Sequence, residues 1–194
     1  MVINNGFIKN DYNIEKTGVH LNAKEFNSMI GKPKSILIDM RNHYESEVGK
    51  FNNAEIPQIN KSKDLLPEVR RMLKGKEDHQ VLLYCTGGIR CEKLSGFLLE
   101  EGFKSVAQLD GGIINYSKDS KTKGKNFDGE CYVFDQRIGV EVNSDNPKII
   151  SRCIHCDQPS QRYQNCGWKP CNDKIFICDS CEEGFGKFCG EQCR

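Results

Sequence analysis

The feature that most constrains this chain is the stretch Leu82-Leu83-Tyr84-Cys85-Thr86-Gly87-Gly88-Ile89-Arg90-Cys91-Glu92-Lys93. The apolar run Val81 to Tyr84 reads as a short buried strand, and Leu94, Phe97 and Leu98 recur at helical spacing just after Arg90. Between them lies a turn with two adjacent glycines. The cysteine therefore sits where backbone N–H groups converge and where the positive end of a helix points, with Arg90 at the far edge of the loop. Such surroundings stabilise a thiolate, which is the nucleophilic form of cysteine. Gly87 and Gly88 let the backbone turn its amides inward without a Cβ clash. A purely structural cysteine at a strand end is the alternative, and the Cys-x-x-x-x-Arg spacing between strand and helix argues against it.

The flanking sequence extends this into alternating helices and inner strands, an α/β layer structure. Asn22 is a helix N-cap with Glu25 three residues on, followed by Phe26, Met29 and Ile30, and Gly31-Lys32-Pro33 ends that helix. Ile36 to Ile38 is a short inner strand. Asp39, Arg41, His43, Glu45 and Glu47 follow it directly. Ligands of open parallel sheets sit beyond the carboxyl ends of strands, which places Asp39 and Arg41 near Cys85, with Asp39 pinning the loop by hydrogen bonds. Glu45 and Glu47 read as parts of a solvated loop with internal ion pairs. His43 is either a surface histidine or a proton shuttle, since imidazole titrates near neutrality.

Ile56 through Lys63 is a loop, and Asp64 to Leu73 is an amphipathic helix that turns Leu65, Leu66, Val69, Met72 and Leu73 to the core. A helix over 91–101 closes at Gly102, and the strand Ser105–Leu109 ends in Asp110-Gly111-Gly112. Cys91 is either a resolving thiol for an oxidised Cys85 or a small residue on the helix face. Glu92 in the first turn favours the helix dipole, and Lys93 adds positive potential. The lysines at 118, 121, 123 and 125 mark an exposed linker. Cys131 to Phe134 then forms an added strand, with Val140 and Val142 as its hairpin partner.

The tail pairs its cysteines as Cys153-x2-Cys156, Cys166-x4-Cys171, Cys178-x2-Cys181 and Cys189-x3-Cys193. Short cysteine hairpins supply two thiolates each, and Zn²⁺ takes four in a tetrahedron, so the spacing predicts two structural zinc ions. The pairs combine either in sequence or interleaved, first with third and second with fourth; the interleaved brace is favoured. His155 is expected to stay free. Residues 151–194 hold six Lys/Arg and six Asp/Glu, so eight thiolates and two Zn²⁺ leave this lobe at about −4, unlike a basic RNA clamp. With few aliphatic residues, the metal acts as its core.

A net charge of +1 exerts no global pull on nucleic acid or membrane. No apolar run approaches a membrane span, and no secretory signal opens the chain, so the expectation is a cytoplasmic protein whose eleven cysteines are ligands and thiols rather than disulfides. The expected organisation is a flexible lead-in over 1–17, an α/β domain over 18–120, a linker with added strands over 121–150, and the cysteine-rich domain over 151–194.

Cys85-Thr86-Gly87-Gly88-Ile89-Arg90 resembles the active-site loop of rhodanese domains, as Ile36 to Arg41 and Leu109 to Ile113 resemble their flanking motifs. The longer string is similar to one subfamily. It comprises Asp39 to Glu45 with Glu47-Val48-Gly49, Cys85 to Lys93, Asp110 to Ile113, Val133 to Arg137 and the cysteine-rich tail. The subfamily is the rhodanese-domain tRNA uridine 5-hydroxylases, with a eukaryotic thiosulfate-sulfurtransferase-like relative. The resemblance implies a rhodanese-like parallel sheet flanked by helices, tRNA as partner, and oxygen-dependent 5-hydroxylation of the wobble uridine. It implies Cys85 as the reactive thiolate, Thr86 to Ile89 as its cradle and Arg90 as the holder of an anionic intermediate, with no organic cofactor. Members carry a further small domain ahead of this point, whereas eighteen residues precede Val19 here. That domain is expected to be cut away or absent, along with any RNA contact it makes. The alternative is a sulfurtransferase in which Cys85 takes a persulfide from a small sulfur donor. A third reading is an idle scaffold bearing a zinc interaction module, against which intact Cys85 and Arg90 count.

Overall fold

The computed structural model describes residues 16–135 and 137–194. In chain order the elements are β1 (Val19–Leu21), α1 (Ala23–Met29), β2 (Ser35–Asp39), α2 (His43–Val48), β3 (Gly49–Phe51), α3 (Leu65–Leu73), β4 (Gln80–Tyr84) and α4 (Ile89–Glu100). They continue with β5 (Ser105–Leu109), α5 (Gly112–Lys118), β6 (Phe127–Tyr132), β7 (Gly139–Glu141), β8 (Tyr163–Asn165), β9 (Lys174–Phe176) and α6 (Asp179–Phe185). Four parallel strands form the central sheet in the order β1-β5-β4-β2, and the backbone at Glu55 bonds along the outer edge of β2.

Alternation along the strands assigns the two faces. Ile36, Ile38, Val81, Leu83 and then Cys85 point to one side, where Leu65, Val69 and Leu73 of α3 and Leu94 and Leu98 of α4 cover them. Leu37, Leu82 and Tyr84 point to the other, against Phe26 of α1 and Ile113 and Tyr116 of α5. On that second face Phe51 gathers four rings: Phe26 at 5.6 Å, Tyr84 and Tyr116 at 4.7 Å and Phe127 at 5.2 Å between centroids. Such T-shaped and tilted packing adds specificity to the area buried.

Local signals behaved as read at several points. Asn22 and Glu25 form a reciprocal capping box at 3.0 Å each way. The hairpin of β6 and β7 pairs Cys131 with Val140. Long-range pairing changed other segments. Glu45, expected with Glu47 in a solvated loop, is buried together with Asp39 and Arg41, and the chain becomes a helix from His43. Only Glu47, half exposed and 3.5 Å from His43, keeps the solvated character. Helix α4 begins two residues earlier than expected, because Gly88 at φ +90° starts it.

Of the segment read as a linker, the lysines at 118, 121, 123 and 125 are exposed, whereas the chain from Phe127 onward is packed. Strand β6 pairs antiparallel with β3, and Phe127, Cys131 and Val142 join the second core cluster. The lead-in falls outside the described residues as far as 15, while Thr17 at its end donates to Glu92 at 2.7 Å. The lobe after residue 150 carries β8 paired with β9, and it meets the rest through Val48, Tyr132 and Phe176.

Candidate active site

Cys85 directly follows β4 on the face covered by α4, and its sulfur lies at the N-terminus of that twelve-residue helix. The Gly88 N–H donates to it at 3.1 Å, and the N–H groups of Arg90 and Cys91 also reach it. The thiol is brought down to about 6, first by the hydrogen bond from the Cys91 side chain. Burial opposes that, and the Arg90 charge and the backbone amides add to the lowering, so that the net shift is downward. Cys85 is therefore mostly thiolate at neutral pH. Around it Gly87 is exposed, Thr86 is half-buried and Ile89 is 72 % exposed, so the loop's rim faces solvent.

The motif Asp110-Gly111-Gly112 has a steric reason. Ile113 N–H donates to the Cys85 carbonyl at 3.0 Å and Ile114 N–H to that of Thr86 at 3.1 Å, so the start of α5 holds the loop from behind. A Cβ on Gly112, whose φ is +65°, would lie 2.4 Å from the Cys85 oxygen.

Arg90 faces a partner that the local sequence did not announce. Its guanidinium makes a bidentate pair with Glu45 at 2.7 and 2.9 Å, and it also donates to the Thr86 hydroxyl at 3.2 Å. Glu45 is fully buried and also accepts from the Asn42 N–H at 3.0 Å. Burial works against the Arg90 charge, but Glu45 more than compensates and holds the guanidinium above its ordinary range. Arg90, expected to hold an anionic intermediate, thus comes to the site already paired with Glu45 and with its charge near the Cys85 sulfur.

Asp39 does not pin the cysteine loop. Its carboxylate accepts from Arg41 at 2.8 and 2.5 Å, from the Ser46 hydroxyl at 2.9 Å and from the Tyr84 phenol at 2.8 Å. Arg41, fully buried, donates onward to the carbonyls of Glu45 at 3.2 Å and Gly49 at 2.6 Å. This pair thus ties the end of α2 and the start of β3 to β2, a structural role behind the site. His43 bonds Glu47 and lines a cleft with Tyr44, Asn60 and Lys174 toward the lobe, on the face of α2 away from Glu45. Glu92 joins a network with His20 at 2.9 Å and Gln108 at 3.1 Å, and Lys93 is exposed.

The lobe brings its cysteines together in the interleaved order. Cys153, Cys156, Cys178 and Cys181 form one group, and Cys166, Cys171, Cys189 and Cys193 the other, with all four sulfurs of each group within 4.8 Å of one another. Sulfur pairs such as Cys156–Cys178 at 3.7 Å and Cys171–Cys189 at 3.6 Å are not disulfides. The Cys178 N–H donates to the Cys153 sulfur at 3.4 Å, as expected where a sulfur carries charge. Four converging soft donors fit a tetrahedral thiophilic metal ion. His155 stays out of both groups, stacking on Phe185 at 4.5 Å. Strand β9 runs between the two groups, with Cys171 ahead of it and Cys178 behind.

Residues 22–119 match the family model of the rhodanese-like domain, and residues 128–194 match that of the rhodanase C-terminal region. A protein of Bacillus velezensis named tRNA uridine(34) hydroxylase is 44 % identical over 181 residues, covering 92 % of this chain and 55 % of its own length. One of the same name from Bacillus pumilus is 40 % identical over 188 residues, covering 96 % and 58 %. The chain thus spans a little over half the length of these curated relatives. Among solved structures, a rhodanese-like domain protein from Staphylococcus aureus overlaps 53 % of this chain and 94 % of its own at 19 % identity, with a TM-score of 0.41.

Proposed function

The chain belongs to the rhodanese-like domain family, and from that premise we propose that it is the catalytic part of a tRNA uridine(34) hydroxylase. The observation that carries this reading is the Cys85 thiolate held at the α4 N-terminus within a chain that matches relatives of that name almost throughout. A thiolate adds to C6 of a uracil ring and makes C5 electron-rich. C5 then takes one oxygen atom of O₂, the other leaves as water with two electrons from an external reductant, and loss of the C5 proton expels the thiolate. The product is 5-hydroxyuridine and Cys85 is regenerated. The amide cradle and Arg90 stabilise the sulfur as an anion when it leaves, and Glu45 keeps Arg90 in place.

Each four-cysteine group would hold one structural Zn²⁺, which lends the lobe its rigidity and takes no part in the chemistry. Among the described residues no helix is long and apolar enough to cross a membrane, in keeping with work on tRNA in the cytoplasm. A second reading draws on the same cradle: six residues from Cys85 to Arg90 suit a small sulfane sulfur, so Cys85 would carry a persulfide between a small donor and an acceptor thiol.

Mass spectrometry of tRNA nucleosides from a host lacking its own uridine hydroxylases separates the two. Restoration of 5-hydroxyuridine by the wild-type chain and not by Cys85→Ser is the expected result. Failure of both, with transfer of sulfur from thiosulfate by the purified chain, would establish the sulfurtransferase instead.

A further inference from the structure

The chemistry above uses one thiol, yet a second lies beside it. Cys91 is completely buried in the same core cluster as Cys85. It occupies the third position of α4, and both its backbone N–H and its thiol reach the Cys85 sulfur. Cys85 and Cys91 are thus neighbouring thiols at the start of one helix, and a disulfide between them requires their Cβ atoms to come to about 3.5–4.5 Å. Cys131, the other buried thiol of this layer, lies on β6 and turns toward the Tyr132 carbonyl at 3.7 Å.

The two sulfurs are also held in different states. Burial and the neighbouring Cys85 charge keep Cys91 protonated, while Cys85 is the anion. An oxidant arriving from solvent therefore reacts at Cys85 and leaves Cys91 reduced beside it. The loop that covers the buried Cys85 is itself exposed at Gly87 and Ile89.

We propose that Cys85 and Cys91 form a two-thiol redox centre in which Cys91 is the resolving cysteine. A hydroperoxide transfers its terminal oxygen to the Cys85 thiolate, breaking the O–O bond and releasing an alcohol, or water from hydrogen peroxide. The Cys91 sulfur then attacks the resulting sulfenic sulfur, an S–S bond forms, and the hydroxyl departs with the Cys91 proton as water. Two thiols are oxidised by two electrons in all, and the hydroperoxide is reduced. An external dithiol reverses the step by exchange. The disulfide protects Cys85 from irreversible oxidation and suspends its nucleophilic chemistry, whichever substrate it serves.

The test uses the purified metal-bound chain, treated with stoichiometric hydrogen peroxide, alkylated and digested without reductant. The expected result is a peptide pair linked through Cys85 and Cys91 that dithiothreitol separates. Cys91→Ser should instead give a dimedone-reactive Cys85 and about tenfold more sulfinic acid at that position. Cys91→Ala, with no polar atom at the site, should do the same. A wild-type Cys85 that is trapped by dimedone, overoxidises, or links to any cysteine other than Cys91 would overturn the proposal, and this arm depends on no variant.

Discussion

The sheet layer and the C-terminal lobe both concentrate cysteine, but they stabilise it by opposite means. In the layer, Cys85 and Cys91 lie among Ile38, Leu83, Leu94 and Leu98, in a core that folds by apolar burial. One sulfur is charged there only because helix amides, a neighbouring thiol and Arg90 surround it. In the lobe, residues 151–194 contain three aliphatic side chains, all isoleucine, and eight cysteines in two groups of four. Such a region buries little aliphatic surface, so a metal held by each cysteine group would take the place of a core. Cysteine suits a reagent in one region and a strut in the other, and the surroundings rather than the residue type make the difference.

Metal removal should break this comparison most visibly. Structural zinc in small domains is worth about 10–16 kcal/mol of apparent binding at pH 7, so a strong chelator should unfold the lobe. Limited proteolysis should then cut within 151–194 while the sheet layer resists, and elemental analysis should show two ions lost per chain. Simultaneous unfolding of both regions would mean that the layer depends on the lobe.

The next largest effect concerns the buried charge pair. Glu45→Gln leaves the Arg90 guanidinium buried without its counter-charge, a change that costs about 3–5 kcal/mol in comparable pairs. Urea denaturation should show that loss. A stability unchanged from wild type would place Arg90 in solvent rather than on Glu45.

Cysteine reactivity sharpens the contrast without unfolding either region. Iodoacetamide labelling of Cys85 should follow its thiolate, high at pH 7.5 and falling as the pH drops through about 6. Cys91→Ala removes the largest favourable contact, so the midpoint should move up and labelling at pH 6 should fall several-fold. An unmoved midpoint would assign the thiolate to the helix amides and Arg90 alone.

The smallest effect lies where the regions meet. Lys174 of β9 stands 3.3 Å above the Tyr44 ring, on the helix that also carries Glu45. Lys174→Gln should cost about 0.5–1 kcal/mol, as exposed cation–π contacts do. If the lobe helps to seat α2, hydrogen exchange in α2 should rise as well; exchange confined to β9 would mean that the two regions touch without coupling.

The sequence by itself determined whatever rests on neighbouring residues. Short continuous apolar runs marked β2 and β4, Asn22 and Glu25 capped α1, and a cysteine between strand and helix marked the candidate nucleophile. Cysteine hairpins marked the two groups that could hold a metal because each pair is a local chelate. Only the tertiary structure decided that Glu45 is the buried partner of Arg90, that β3 joins β6, and that Gly112 touches the Cys85 carbonyl. These contacts join residues tens of positions apart, and a charge, a short strand or a glycine looks the same locally whatever it will meet. The difference is physical: backbone period and capping act within a few residues, whereas burial of an ion pair exists only once the chain has closed around it.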